Sequence, residues 1–236
     1  MIALSSLTVQ LQEKVVDFFF PRRCVGCGKA GDFLCAYCRQ KLPRLLPPFC
    51  QKCGKPQSSG VLCPACWGQQ TDIDGIRSVF RFEGAVRQAI HDLKYRNLKA
   101  ISGCLATLLA NYLQSEPLNG EVLVPVPLHL RRLRERGYNQ SSLLAGELGK
   151  LIALPVIGDS LWRLKDSSPQ ARTTTVEERK RNVKKAFACR DAKLNGENVI
   201  LIDDVCTSGA TLEACAKVLK SAGAASVWGL TLAREI

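Results

Sequence analysis

Histidine and methionine are nearly missing from this chain. Among 236 residues there are two histidines and one methionine, and aromatic residues make up only 6%. His91 and His129 are the only imidazoles and neither stands by an obvious nucleophile, so no Ser/His/Asp or Cys/His catalytic arrangement is apparent. No apolar run approaches the roughly 20 residues that a membrane helix needs, which excludes a span. Gln10, Gln12, Glu13 and Lys14 break up the N-terminal apolar stretch, so a secretory signal is not expected. Acidic groups are scarce beside basic ones, 21 against 33, leaving a formal net charge of +12. Hydrophobic residues at 46% and charged residues at 23% are an ordinary globular balance, which excludes disorder, collagen-like chains and coiled coils. The length suits one large domain, or a normal domain with a small one. The twelve cysteines and the surplus of positive charge are what need explaining.

Eight of the twelve cysteines fall between Cys24 and Cys66, all in Cys-x-x-Cys pairs: Cys24/Cys27, Cys35/Cys38, Cys50/Cys53 and Cys63/Cys66. Two intervening residues let a tight turn aim both thiolates at one ion, and two such knuckles complete a tetrahedral four-cysteine zinc site. A disulfide framework would instead suit a secreted chain, and a redox Cys-x-x-Cys needs only one pair. Two structural Zn2+ ions are therefore expected, with no position left open for catalysis. The short spacers suit sequential pairing, Cys24/27/35/38 and Cys50/53/63/66, while spacing alone also admits an interleaved cross-brace. Cys104 and Cys215 sit in apolar helical patterns and read as buried free thiols. Reduced thiols with a zinc module point to a cytoplasmic location.

Residues 5–20 fit a short amphipathic helix ending at Pro21, and Gly68-Gln69-Gln70 reads as a linker. Beyond it strands and helices alternate. Strands are expected at Ile76–Phe82, Glu121–Val126, Val199–Ile202 and Val227–Leu232. Helices are expected at Ala85–Tyr95, Ile101–Leu113, Gln140–Ile152 and Ala210–Ala222. Continuous apolar strands in such an alternation point to a parallel α/β sheet. The expected layout is an N-terminal helix and double zinc ribbon over residues 1–70, then an α/β domain over residues 71–236.

The most informative stretch runs from Val199 to Thr211. An apolar strand leads into Asp203 and Asp204, then Val205-Cys206-Thr207-Ser208-Gly209-Ala210-Thr211 opens a helix. Ligands bind at the carboxyl ends of strands in open α/β sheets. Loop N–H groups, the helix N-terminus and the hydroxyls of Thr207, Ser208 and Thr211 make an anion site, and Gly209 permits close approach. Two carboxylates beside an anion site make sense if the ligand also carries a diol, as a sugar phosphate does. The stretch is neither Gly-x-Gly-x-x-Gly nor a Walker A loop, because the Gly-Lys-Ser/Thr ending is missing.

This stretch resembles the phosphoribosyl-pyrophosphate (PRPP) loop of type I phosphoribosyltransferases, whose sheet is parallel and Rossmann-like. That resemblance implies that Asp203 and Asp204 hold the ribose hydroxyls and that Thr207–Thr211 cradle the 5′-phosphate. It also implies that Lys94 and Tyr95 lie where such proteins bind pyrophosphate. Cys206 departs mildly from the pattern, since a larger apolar residue is common there. The run Leu128-His129-Leu130-Arg131-Arg132-Leu133-Arg134-Glu135-Arg136-Gly137-Tyr138-Asn139-Gln140 is similar to a signature of the ComF family. Gln170, Arg179, Asn182-Val183 and Ala186-Phe187 match another ComF segment. A zinc ribbon before a phosphoribosyltransferase domain is the ComF layout, and relatives carry the names ComFC and GntX. By that resemblance the chain acts in natural competence. If it is an enzyme, it displaces pyrophosphate at ribose C1 through Asp203, Asp204, Lys94 and Arg136, with Mg2+ on the pyrophosphate. If not, it binds single-stranded DNA or docks a DNA-processing helicase.

The charge is local. Residues 131–190 hold 14 basic and six acidic groups, a net +8, and the densest pieces are Arg131/Arg132/Arg134/Arg136 and Arg179/Lys180/Arg181 with Lys184/Lys185. Two uses compete. One is a movable loop whose arginines neutralise departing pyrophosphate. The other is a nucleic-acid groove of Arg131, Arg132, Arg134, Arg136, Arg179 and Lys180, with Tyr138, Trp162 or Phe187 stacking on bases. His91 reads as surface or helix packing, and His129 at most as a residue that supports the site from behind without touching a ligand.

Overall fold

The computed structural model describes residues 22–164 and 186–236. The helix expected over 5–20, and Arg179, Lys180 and the rest of that basic run, lie outside the described residues. The chain forms two compact units, Met1–Leu42 and Pro43–Ile236. In the first, an antiparallel bridge between Arg23 and Ala30 closes the Cys24–Cys27 knuckle. Helix α1 (Ala36–Gln40) carries Cys38, and Arg39 braces the turn before it through Leu34 O at 2.7 Å and Asp32 at 2.9 Å.

The second unit is built on a four-stranded, all-parallel sheet in the order β1-β6-β5-β2. Its elements are β1 (Gly75–Arg81), α2 (Gly84–Tyr95), α3 (Ile101–Ser115), β2 (Val122–Pro125), α4 (Leu130–Arg136) and α5 (Gln140–Ile152). They continue with β3 (Leu161–Arg163), β4 (Phe187–Cys189), β5 (Asn198–Cys206), α6 (Ala210–Ser221) and β6 (Ser226–Arg234). The expected parallel α/β sheet is thus present, and α5 has the expected bounds. Sequence reading missed α4, taken for a loop, and the antiparallel β3–β4 pair, whose three-residue strands are too short to show a pattern.

Burial on both faces explains the unbroken apolar run of β5. Val199 and Leu201 join the cluster of Leu212, Cys215, Ala216 and Leu219 from α6. Helix α5 packs against the opposite face of β5 and β2, where a Cβ on Gly149 would touch Leu123. The strand then runs four residues past its apolar end. Asp203 to Cys206 stay in register with Thr231 to Arg234, because β6 remains buried through that end. Cys215 is wholly buried as expected, whereas Cys104 is only half-buried.

By packing, the second Cys-x-x-Cys ribbon belongs to the compact unit that holds the sheet, Pro43–Ile236. Residues 43–45 run antiparallel to β1: Leu45 N bonds Val79 O at 3.0 Å and Arg81 N bonds Pro43 O at 2.8 Å. Ile76 N bonds Lys52 O at 2.7 Å. The free edge of β1, which would otherwise offer unpaired backbone groups, is thereby covered. Gly54 makes this fit possible, with φ of +70° and its missing Cβ only 2.2 Å from Ile76 O.

Gly54→Ala is therefore expected to cost about 2–4 kcal/mol, from strain plus a backbone clash. Gly196→Ala, at φ +80° but facing open space, should cost about 1 kcal/mol. Denaturant unfolding of the two variants checks this, and equal losses would rule out the clash.

Candidate functional site

The eight cysteines gather into two clusters of four, Cys24/Cys27/Cys35/Cys38 and Cys50/Cys53/Cys63/Cys66, with sulfurs within 4.8 Å of one another. Sequential pairing is thus realised and the cross-brace is not. Cys27 and Cys35 sulfurs lie 3.7 Å apart, as do those of Cys53 and Cys63. A tetrahedron with arms of about 2.3 Å has an edge of about 3.8 Å, so both clusters fit Zn2+. Backbone N–H groups already point at the sulfurs, Cys35 N to Cys24 at 3.4 Å and Cys63 N to Cys50 at 3.3 Å. Burial opposes ionisation of Cys24 and Cys50, yet these N–H groups outweigh it and both thiols fall to about 6. Cys38 is pushed up to about 12 by burial and by its sulfur neighbours, and Cys66 goes up for the same reasons. Four thiols this close shed all their protons only when a cation takes the protons' place. Zinc here holds the ribbons together and leaves no ligand position open.

The second feature lies at the carboxyl end of β5. Asp203 Oδ1 accepts from Ser141 Oγ at 2.9 Å and from Asp204 N at 2.9 Å. Asp204 is almost wholly buried; its Oδ1 accepts from Val205 N at 2.9 Å and its Oδ2 pairs with Lys94 Nζ. Burial, helped by the Asp204 charge and opposed by Lys94, pushes the Asp203 carboxyl up to about 7. Thr207 and Ser208 are exposed, Ser208 Oγ accepts from Ala210 N at 3.3 Å, and Gly209 enters α6 with φ of +80°. Glu213 in the first turn of α6 accepts from Asp72 N at 2.9 Å and Ile73 N at 3.2 Å, holding that segment beside the loop.

Lys94 arrives from the last turn of α2, and a cavity of about 510 Å³ opens beside it. Lys94, Tyr95, Asn97, Arg132, Arg136 and Glu135 line the cavity together with Tyr138. The arginine run is helix α4 rather than a loop. Its residues are good helix formers, His129 caps its start by accepting from Arg131 N at 3.3 Å, and the left-handed Gly137 ends it. Arg132 and Arg136, one turn apart, are half-buried at the cavity, whereas Arg131 and Arg134 are exposed. Arg131 pairs with Glu135 at 2.9 Å. Arg136 donates to Gln140 Oε1 and lies 5.3 Å from the Tyr95 ring centroid.

Three expected stacking residues are otherwise engaged. Tyr138 is 8% exposed and donates its hydroxyl to Leu93 O. Phe187 is buried in the core, and the Arg190 guanidinium covers the half-buried Trp162 at 3.2 Å. Of the rings that line the cavity, Tyr95 is exposed, at 68%, with His91 5.0 Å away.

Sequence reading also missed Ser141. Asn139 caps α5 through Ser141 N at 3.0 Å and ties itself to Val126 O at 2.9 Å, which aims the Ser141 hydroxyl at Asp203. The cap sequence Asn-x-Ser ahead of an apolar helix could have shown the cap, but not its partner 62 residues on.

Comparison with known proteins agrees with both features. A family model of the double zinc ribbon domain matches residues 15–67, and one of the phosphoribosyl transferase domain matches residues 142–235. Competence protein ComFC of Bacillus subtilis (strain 168) is 32% identical over 215 residues, 88% of this chain and 86% of the relative. Competence protein F of Haemophilus influenzae is 30% identical over 229 residues, 91% of this chain and 99% of the relative. DNA utilization protein YhgH of Escherichia coli (strain K12) is 28% identical over 209 residues, 86% and 91% of the two chains.

The raised Asp203 carboxyl has a consequence for stability. An unfolded Asp ionises near 3.9, so between about pH 4 and 7 the folded chain holds a proton that the unfolded chain has lost. Its contribution is present below pH 4 and lost as pH rises through 7. Asp203→Asn is therefore expected to gain on the wild type by about 1–3 kcal/mol between pH 4 and 7, then level off. Parallel pH–stability curves for the two proteins would contradict this.

Proposed function

The chain belongs to the ComF family, and we propose that its α/β unit binds PRPP or a closely related ribose phosphate during the handling of DNA in natural competence. The observation that carries the reading is the conjunction at the end of β5: two carboxylates, a hydroxyl-bearing loop and the start of α6 in one continuous segment. The half-exposed Asp203, oriented by Ser141, is the open acceptor for a ribose hydroxyl, and Asp204 shares its lone pairs with Lys94. The 5′-phosphate takes Thr207, Ser208, Thr211 and the N–H groups at the head of α6. Lys94, Arg132 and Arg136 supply the positive charge that a pyrophosphate needs, and Mg2+ accompanies it. Should transfer occur, these groups orient ribose C1 and offset the charge of the leaving pyrophosphate, and most of the catalysis is positioning and electrostatics. Among the described residues no helix is long and apolar enough to cross a membrane. Zinc-held thiols fit the reducing cytoplasm.

A second use of the basic run has its own support. Exposed Arg131 and Arg134 on α4, with exposed Tyr95 beside Arg136, combine cations and a ring in the way single-strand binding requires. The names of the relatives, competence and DNA utilization, point to the same substrate.

Calorimetry with PRPP and Mg2+ is expected to show binding that Asp203→Asn with Asp204→Asn weakens at least about 100-fold, since hydrogen bonds to charged groups contribute about 1.5–3 kcal/mol each. No heat from the wild type would overturn the ligand reading, and a pyrophosphate-release assay over bases and amines then decides turnover. For DNA, single-strand affinity should fall steeply with salt, and Arg131→Glu with Arg134→Glu should flatten that slope by about two charges. An unchanged slope removes α4 from the DNA surface.

A further inference from the structure

Arg234 is the largest fully buried side chain among the described residues, at 0% exposure. Its Nη1 donates to Cys206 Sγ at 3.1 Å, its Nη2 donates to the backbone carbonyl of Cys53, and its Nε finds no partner. No carboxylate pairs with it among the described residues. A guanidinium keeps its proton in a protein, and an uncompensated buried cation is among the costliest groups a fold can carry. Cys206 does not offset that charge, because burial holds its thiol neutral, pushed up to about 11. The remaining candidate is the cluster to which Cys53 belongs. Four thiolates around Zn2+ carry a net charge of −2, and Cys53 is one of the four.

Two physical paths run from this cluster to the hydroxyl loop. In one, Cys53 O, Arg234 and Cys206 are joined by hydrogen bonds, and Cys206 leads directly into Thr207–Gly209. In the other, Lys52 O holds Ile76 N at 2.7 Å and Gly54 abuts Ile76 O. The Ile76 side chain then packs under Gly209, where a Cβ would lie 2.9 Å from its Cδ1. The arrangement is short and continuous, with Arg234, Cys206 and Ile76 buried at its centre.

We propose that Arg234 is a positioning residue that couples the second zinc centre to the hydroxyl loop. The zinc–thiolate charge holds the guanidinium in place, and the guanidinium together with Ile76 fixes Cys206–Gly209 in the shape that receives a phosphate. The proposal rests on the ribose-phosphate reading only for the identity of that ligand. Because coupling is reciprocal, zinc loss at this centre weakens anion binding in the loop, and a bound anion slows zinc loss. The ribbon thus gives the ligand site a dependence on zinc supply and thiol oxidation. The first centre, in its own compact unit, serves as the internal reference.

The test uses the zinc-loaded full chain and two readouts, zinc release to a colorimetric chelator and amide hydrogen exchange over residues 206–211. Variants that remove a group holding a metal ligand from outside typically lower metal affinity 10–100-fold. Arg234→Gln should accordingly release one of its two zinc ions about tenfold faster or more, and leave the other unchanged. Arg234→Lys keeps the charge without the fork and should fall between. Exchange over 206–211 should rise in Arg234→Gln and in Cys66→Ser, which breaks the second centre, but not in Cys27→Ser, which breaks the first. Exchange across α5 should stay at the wild-type rate. Wild-type zinc release from Arg234→Gln, or unchanged loop exchange in Cys66→Ser, overturns the proposal. A rise across α5 equal to that of the loop overturns it too, because the effect is then global. If Arg234→Gln does not accumulate as folded protein, the two cysteine variants decide alone. Neither readout involves PRPP, so a chain that fails to bind PRPP sinks the functional reading and leaves this one standing.

Discussion

Strand β5 is buried on both faces for its first half and carries two adjacent carboxylates just beyond that apolar run, and this conflict governs what surrounds it. Charge at the end of a buried strand needs local compensation, because water reaches it poorly. One side is met by Lys94 on Asp204 and by the Ser141 hydroxyl on Asp203. The compensation is incomplete, which is why the Asp203 carboxyl rises to about 7. A ligand that brings hydroxyl donors would complete it. The incomplete compensation at this end of β5 is thus a physical argument for the proposed ligand site that is independent of any likeness to other proteins.

The same end of the sheet carries the opposite problem in β6. Arg234 is buried beside β5 with a thiol and a carbonyl as its polar partners. A fold that used zinc only to close two small ribbons would not need the second ribbon against the sheet. Here the ribbon caps the open edge of β1 through residues 43–45 and Lys52, and the same contacts bring Cys53 to Arg234. Edge protection and charge compensation come from one element. That accounts for the second ribbon sharing a compact unit with the sheet.

The sequence made legible those features whose cause is local. Cys-x-x-Cys pairs declare their geometry within four residues, and β5 with its following loop does so within thirteen. Apolar periodicity was enough to place α2, α3, α5 and α6 to within two residues at each end. Features with distant causes were not legible. That Tyr138 is buried goes with its hydroxyl donating to Leu93 O, 45 residues away. Nothing local in the sequence marks Arg234 as buried, and one of its partners, the Cys53 carbonyl, lies 181 residues earlier. Helix α4 was hidden differently: four arginines in seven residues look like a loop built for phosphate, although His129 and Gly137 mark both ends.

The positive charge now divides by its physical setting. Eight zinc-bound thiolates and two Zn2+ lower the formal +12 to about +8, so most of the apparent basicity of the N-terminal ribbons disappears. In α4, helical geometry splits one run of arginines into two sets. Arg132 and Arg136 are one turn apart and half-buried at the cavity beside Lys94, where low dielectric strengthens attraction for a phosphate. Arg131 and Arg134 are exposed, where salt screens them and a polyanion is met first. A loop would have left all four interchangeable. The helix sets the inner pair against the cavity and leaves the outer pair in solvent.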